Sequence, residues 1–135
     1  MVTFRASVNP TQTQSSLVDF ITCLLNSVTT AHMLHLQTTS FSQHMALGTY
    51  YNEIGDLVDS FVEAYQGKYG LVTGYPATAA LMSNMMPLEY VEYLKEEVQS
   101  LRVKQDFPQD SELQNITDEI AQLIDSTLYK LRFLK

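Results

Sequence analysis

His32, His35 and His44 fall within thirteen residues of one another, and no other histidine occurs in the chain. Neutral imidazole is among the commonest ligands for Zn, Fe and Cu ions. The same side chain also serves as an ordinary packed group whose ring nitrogens bond to backbone carbonyls. Downstream lie Asp56, Asp59 and Glu63. Asp59 and Glu63, four residues apart, fall one above the other on a single face of a helix. Such a pair can chelate a cation, although a solvated acidic face is its more common role. Cys23 is the single cysteine and has no partner for an intramolecular disulfide; on a helix it reads as a small apolar filler. Other chemistries lack their residues. There is no glycine-rich phosphate loop of Walker spacing, no Gly-x-Ser-x-Gly, no Cys-x-x-Cys and no His-Glu-x-x-His.

The elements that must position these groups are helical. From Ser15 onward, Leu17, Ile21, Leu24, Val28, Ala31 and His35 recur at spacings of four and three, with Ser16 and Asp19 offering a capping box. The run Gln37-Thr38-Thr39-Ser40 breaks this helix. Ser40 with Gln43 then opens a second helix, whose seam is His44, Leu47, Tyr51, Ile54, Val58, Phe61 and Tyr65, stopped by Gly67 and Gly70. A long connection follows, within which Ala77 to Met86 is apolar enough for a short helix. Pro87 starts a third helix, with Leu88, Val91, Leu94, Val98 and Leu101 inward. Ser111 with Gln114 caps a fourth, with its seam from Leu113 through Ile116, Ile120, Leu123, Thr127 and Leu131 to Leu134. Lys130, Arg132 and Lys135 sit in its last turns, where they complement the helix dipole. The expected fold is all-α: one four-helix bundle domain over 1–135, preceded by an arm over 1–12, with a long crossover between helices two and three.

This parsing constrains the chemistry. The short turn between helices one and two makes them antiparallel, so His35 and His44 meet at one end of the bundle. His44 and Asp59 are fifteen residues apart, about 22 Å along a helix. One chain therefore cannot bring His44 and the Asp59/Glu63 pair to the same ion. Two copies can, if their second helices run antiparallel across a two-fold axis. Gly48 and Gly55, one heptad apart near that face, leave room for another backbone. A di-iron centre of the common bundle type within one chain is excluded, because no Glu-x-x-His occurs and the seams of helices three and four carry no carboxylate.

Composition narrows the partners. The chain has 135 residues, 45% hydrophobic and 17% charged, which is globular rather than disordered. Eight Lys plus Arg against fifteen Asp plus Glu give a net charge of −7, so nucleic acid is not an expected partner. The opening MVTFRASVNP lacks the apolar stretch of a secretory signal, and no apolar run approaches the roughly 20 residues needed to span a bilayer. A soluble, intracellular protein is expected.

The run from His32 through Leu34, His35, Leu36, Phe41 and Gln43 to His44, followed by Asp59 and Glu63, resembles the ferritin-like proteins of the starvation-induced, DNA-protecting (Dps) type. It is most similar to short ferritin-like proteins of tailed bacteriophages. The likeness spans roughly residues 28 to 70. It implies a homo-oligomer, at least a dimer, in the host cytoplasm, with a metal site between two-fold-related subunits. His35, His44, Asp59 and Glu63 would be its ligands, and His32 a substitute for His35. Mixed N and O donors suit Fe(II) or Zn(II), and neutral imidazole ligands loosen in acid. Leu36 stands where the family has Trp, and Gly48 where it has a carboxylate ligand. The Lys-rich DNA-binding tail is absent. Two readings follow: a metal-binding ferritin-like protein, extending to Fe(II) oxidation, or a non-enzymatic helical interaction protein that has lost that chemistry.

Overall fold

The computed structural model describes residues 15–135; the expected arm over 1–12 lies outside them. The described chain is all-helical: α1 (Ser15–Gln37), α2 (Phe41–Tyr69), α3 (Pro87–Arg102) and α4 (Ser111–Phe133). They form a four-helix bundle in which α1 and α4 each pack against both α2 and α3, leaving α1/α4 and α2/α3 as the diagonals. One apolar core joins them, with Leu24, Leu47, Ile54, Leu94, Ile120 and Ile124 among its fully buried residues. Stripes of this kind, rather than intrinsic propensity, hold such helices together.

The helix ends show how the chain turns. Ser40 caps α2 by accepting the Gln43 N–H at 3.3 Å. The other half of the expected capping box passes through Thr38, which accepts the Ser40 N–H and donates to Gln43 Oε1. Gly70, with φ of 103°, ends α2 and returns its N–H to Gln66; Gly67 is still inside the helix. At α1, the expected Ser16/Asp19 box gives way to a cap from elsewhere: Asp106 accepts from Ser15 Oγ at 2.8 Å and from the Ser16 N–H at 3.2 Å. For α4 the cap position is Asp110, not Ser111. Gln114 instead accepts from Arg102 and donates to the Pro108 carbonyl.

The segment over 77–86 is not a helix. Residues 73–81 are exposed, and an isolated stretch of this length does not sustain helical turns without a buried face. The connection is anchored instead at Val72, buried in the core, and at Met82 and Met85, which pack half-buried against it. Met85, Met86 and Pro87 share a groove with Leu34, Gln37 and Thr38. Thus α3 starts at the end of the bundle where α1 stops and α2 begins. At the opposite end the α3–α4 loop inserts Phe107, which packs 5.0 Å from Phe20 and 5.8 Å from Phe61 between ring centroids.

The helix α1 is, by length and composition, apolar enough to cross a membrane, contrary to the sequence expectation, but half of that window is buried inside the bundle. Its apolarity is that of a helix packed on two neighbours, and it also buries Ser16, Ser27 and Thr30. On α4, the burial stripe runs through Thr117, Ile124 and Leu128. Ile116 and Leu131 are half-buried beside it, and Leu134 is exposed.

Candidate functional site

The last turn of α1 and the first turn of α2 bring His35 and His44 face to face. Their ring centroids are 3.6 Å apart and their planes 19° from parallel. The bonding is reciprocal: His35 Nδ1 lies 2.6 Å from the His44 carbonyl oxygen, and His44 Nδ1 lies 2.9 Å from that of His35. A carbonyl only accepts, so each Nδ1 carries the proton. In the neutral ring the lone pair is then on Nε2, the nitrogen left over for a ligand. Each ring is thus fixed in tautomer by the other residue's backbone.

Aromatic contacts extend the cluster. Tyr51, about two turns after His44 on α2, stacks on His32 at 4.3 Å and meets His35 edge-on at 5.2 Å. His32 is exposed, whereas His35 and His44 are half-buried. Gly48 is buried beneath the stack: a Cβ there would lie 3.2 Å from His35 Cε1 and 3.3 Å from its Nδ1. The missing side chain makes room for the His35 ring, not for a second backbone. At Gly55 an added Cβ would meet nothing within 4 Å, so that position does leave an open surface.

Asp59 and Glu63 are exposed on α2, at the spacing from His44 that separates the two groups along the helix. Asp56, one turn before Asp59 on the same side of α2, also lines a groove with Glu53 and Glu119. Among the described residues no three of His, Cys, Asp and Glu come together as a metal-holding group. One chain stacks His35 on His44 with His32 6.0 Å from His35 between ring centroids, short of a metal-holding group, and fifteen residues of helix separate His44 from Asp59.

Sequence reasoning placed Tyr51 in the apolar seam and missed its role as a platform for the histidines. It also missed the polar bond inside the core, where Tyr50, fully buried, meets Ser27 Oγ at 2.7 Å while Ser27 donates to the Leu24 carbonyl. Burial pushes the Tyr50 phenol above its ordinary range. The spacing of Ser27 among apolar residues was the only available signal. Cys23 lines a cleft of about 220 Å³ between α1 and α3 with Asp19, Tyr93 and Glu97. Burial, then the Glu97 charge, pushes its thiol up to about 12, so it stays protonated and unreactive, as befits a packing residue.

Residues 35–131 match a family of unknown function, DUF5856. The chain belongs to that family. The matched span begins at His35 and runs through the histidine stack, Asp59, Glu63 and most of α4. No curated protein and no solved structure matches the chain.

Proposed function

We propose that this DUF5856 protein is a ferritin-like, metal-binding homo-oligomer, at least a dimer, whose site is completed between two copies. The observation that carries the reading is the locked histidine pair: two half-buried imidazoles hold their Nδ1 protons on carbonyls and keep both Nε2 lone pairs unspent. That is the usual preparation of a metal-binding histidine, in which the second ring nitrogen is tied to a carbonyl or carboxylate. The mixed donor set formed with Asp59 and Glu63 of a second copy suits Fe(II) or Zn(II). Nearly parallel rings cannot both aim in-plane lone pairs at one ion at bond lengths of about 2.1 Å. Each ring would therefore offer its own Nε2 to metal, with Asp59 and Glu63 of the other copy supplying carboxylate oxygens.

Two further features support the reading. The start of α3 beside the α1–α2 turn supports reading the 70–86 connection as a long crossover like that of ferritin-like bundles. Leu36 and Phe41 lie exposed around the histidines, Phe41 at 78%, and an apolar rim of this kind favours a second copy. Fe(II) would be the substrate of any oxidation there.

A second reading has its own observation. With Gly48 filled by the His35 ring, the stack already fastens α1 to α2, and a bundle that has lost metal chemistry would need nothing more of it.

The test is complementation. A His35→Ala/His44→Ala variant and an Asp59→Ala/Glu63→Ala variant are each expected to lose Fe(II) and Zn(II). Mixed under verified subunit exchange, they should regain roughly a quarter of wild-type capacity, since about half the dimers are mixed and each holds one intact site. No recovery would defeat the shared site. Wild-type protein purified without chelator that binds neither metal would favour the second reading, and Fe(II) oxidation rates on metal-binding protein measure turnover separately.

A further inference from the structure

The face of the bundle formed by α2 and α4 carries two features that the histidine site does not use. The first is an open groove of about 500 Å³, lined on α2 by Glu53 and Asp56 and on α4 by Glu119. None of the ion pairs among the described residues involves these three carboxylates. The paired cations, Lys68, Lys95, Arg102 and Arg132, engage Asp110, Glu112, Asp125, Asp118 and Glu92. The second is an aromatic ridge on the last turns of α4. Tyr129 and Phe133 lie one turn apart with ring centroids 6.0 Å from each other, and they are 56% and 68% exposed.

The two features belong to one stripe. The groove-lining positions Gln122 and Ser126 on α4 continue at helical spacing to Tyr129 and Phe133. On α2, Glu53 continues backward through Thr49 to Met45, itself 53% exposed. Near the end of the bundle Ser42 and Gln43 still face Leu131 and Leu134, so the helices stay adjacent along the whole stripe. From Glu119 to Phe133 is fourteen residues, about 21 Å, or about four turns of a docked helix.

We propose that this face docks a basic amphipathic helix of another protein. Its apolar stripe would lie on Met45, Tyr129 and Phe133, and its Lys or Arg flank over Glu53, Asp56 and Glu119. Charge complementarity selects this occupant. Carboxylates without internal partners attract cationic side chains and disfavour an acidic surface, and a second copy paired through this face would set the same carboxylates against one another. An exposed aromatic pair beside them supplies the apolar anchor that helix-in-groove recognition uses.

The experiment uses fluorescence anisotropy with two labelled synthetic helices that share a leucine face, one flanked by lysine and the other by glutamate. The lysine helix is expected to bind the full chain, and more weakly as salt rises, while the glutamate helix should not. Glu53→Gln/Asp56→Asn/Glu119→Gln is expected to weaken binding about tenfold. Tyr129→Ala/Phe133→Ala should weaken it by about tenfold or more; both side chains are exposed, so the core is spared. Asp19→Asn/Glu96→Gln/Glu97→Gln removes three charges from the α1 and α3 side and is expected to leave binding nearly unchanged. Equal weakening by that control would overturn the proposal, because net charge alone would then explain the attraction. Equal binding of the glutamate helix would overturn it too. So would a dimer by sedimentation that Phe133→Ala dissociates, since the face would then belong to a second copy. None of these outcomes depends on metal, so the histidine site stands or falls apart from this one.

Discussion

Between α3 and α4 the bundle is laced at its surface by Lys95–Asp125, Arg102–Asp118 and Arg132–Glu92. Between α1 and α2 there is no ion pair among the described residues. Contact there runs through the buried Ser27–Tyr50 bond, the stacked His35 and His44 with their reciprocal carbonyl bonds, and Tyr51 on His32. The first seam uses groups that water satisfies almost as well, and each such pair contributes little. The second places polar groups out of water, where an unmade bond costs far more than a made one gains. The histidines are satisfied at one nitrogen each and have the other to spare. Incomplete satisfaction in a half-buried place is what the proposed metal site on the α1–α2 seam rests on; the α3–α4 seam has no such spare groups among its ion pairs.

The largest expected effect separates the two seams directly. His35→Ala/His44→Ala removes two carbonyl bonds and a ring stack, and should cost about 2–3 kcal/mol of stability. Removing any one α3–α4 ion pair, as in Lys95→Ala, should cost less than about 1 kcal/mol. Urea unfolding of the variants checks this. Similar losses for both would mean that the histidine stack is no more specific than a surface pair.

The next effect sharpens the contrast within α2. Alanine gains about 1 kcal/mol over glycine in a helix interior. At Gly55, where an added Cβ meets nothing, that gain should appear in full. At Gly48 the Cβ would press on a His35 ring that is held by its carbonyl bond and its stack, so the gain should vanish or reverse. A difference of about 1–2 kcal/mol between the two variants is expected, together with perturbed imidazole NMR signals for Gly48→Ala alone. Two variants of equal stability would show that the ring has room to move.

Much of this was legible beforehand, for identifiable reasons. The four helices follow from apolar residues recurring at three and four, and the meeting of His35 with His44 follows from a turn too short for anything but an antiparallel pair. The separation of His44 from Asp59 needed only the helix rise. What was not legible depended on contacts between distant segments. Asp106 caps α1 from ninety residues away, and no local pattern at Ser16 announces it. The apolar content of Ala77–Met86 suggested a helix because composition does not say whether a neighbour will cover the segment. Gly48 looked like space for another backbone because the direction of the His35 ring is set only when the two helices pack. The proposed metal site would depend on a second copy, which a single chain's pattern addresses only through the helix rise and the resemblance.

The smallest expected effect concerns the end of the bundle far from the histidines, where two carboxylates act as fasteners. Hydrogen bonds from Ser16 and Ser15 hold the Asp106 carboxyl below its ordinary range, and those from Lys68 and Tyr69 do the same for Asp110. A carboxyl whose folded pKa is depressed stabilises the fold fully above its unfolded value, near 3.9. That contribution fades as pH falls through the lower folded value. Asp106 is exposed, and Asp110, though half-buried, is held by the exposed Lys68 and Tyr69, so the effect on Tm should be small. The gap in Tm between wild type and Asp106→Asn, and likewise Asp110→Asn, should stay constant above about pH 5 and close as the solution is acidified toward about pH 2. A gap for Asp106→Asn that held constant into acid would show that the charge of Asp106 contributes nothing to capping α1, leaving only its hydrogen bonds, which asparagine can in part replace.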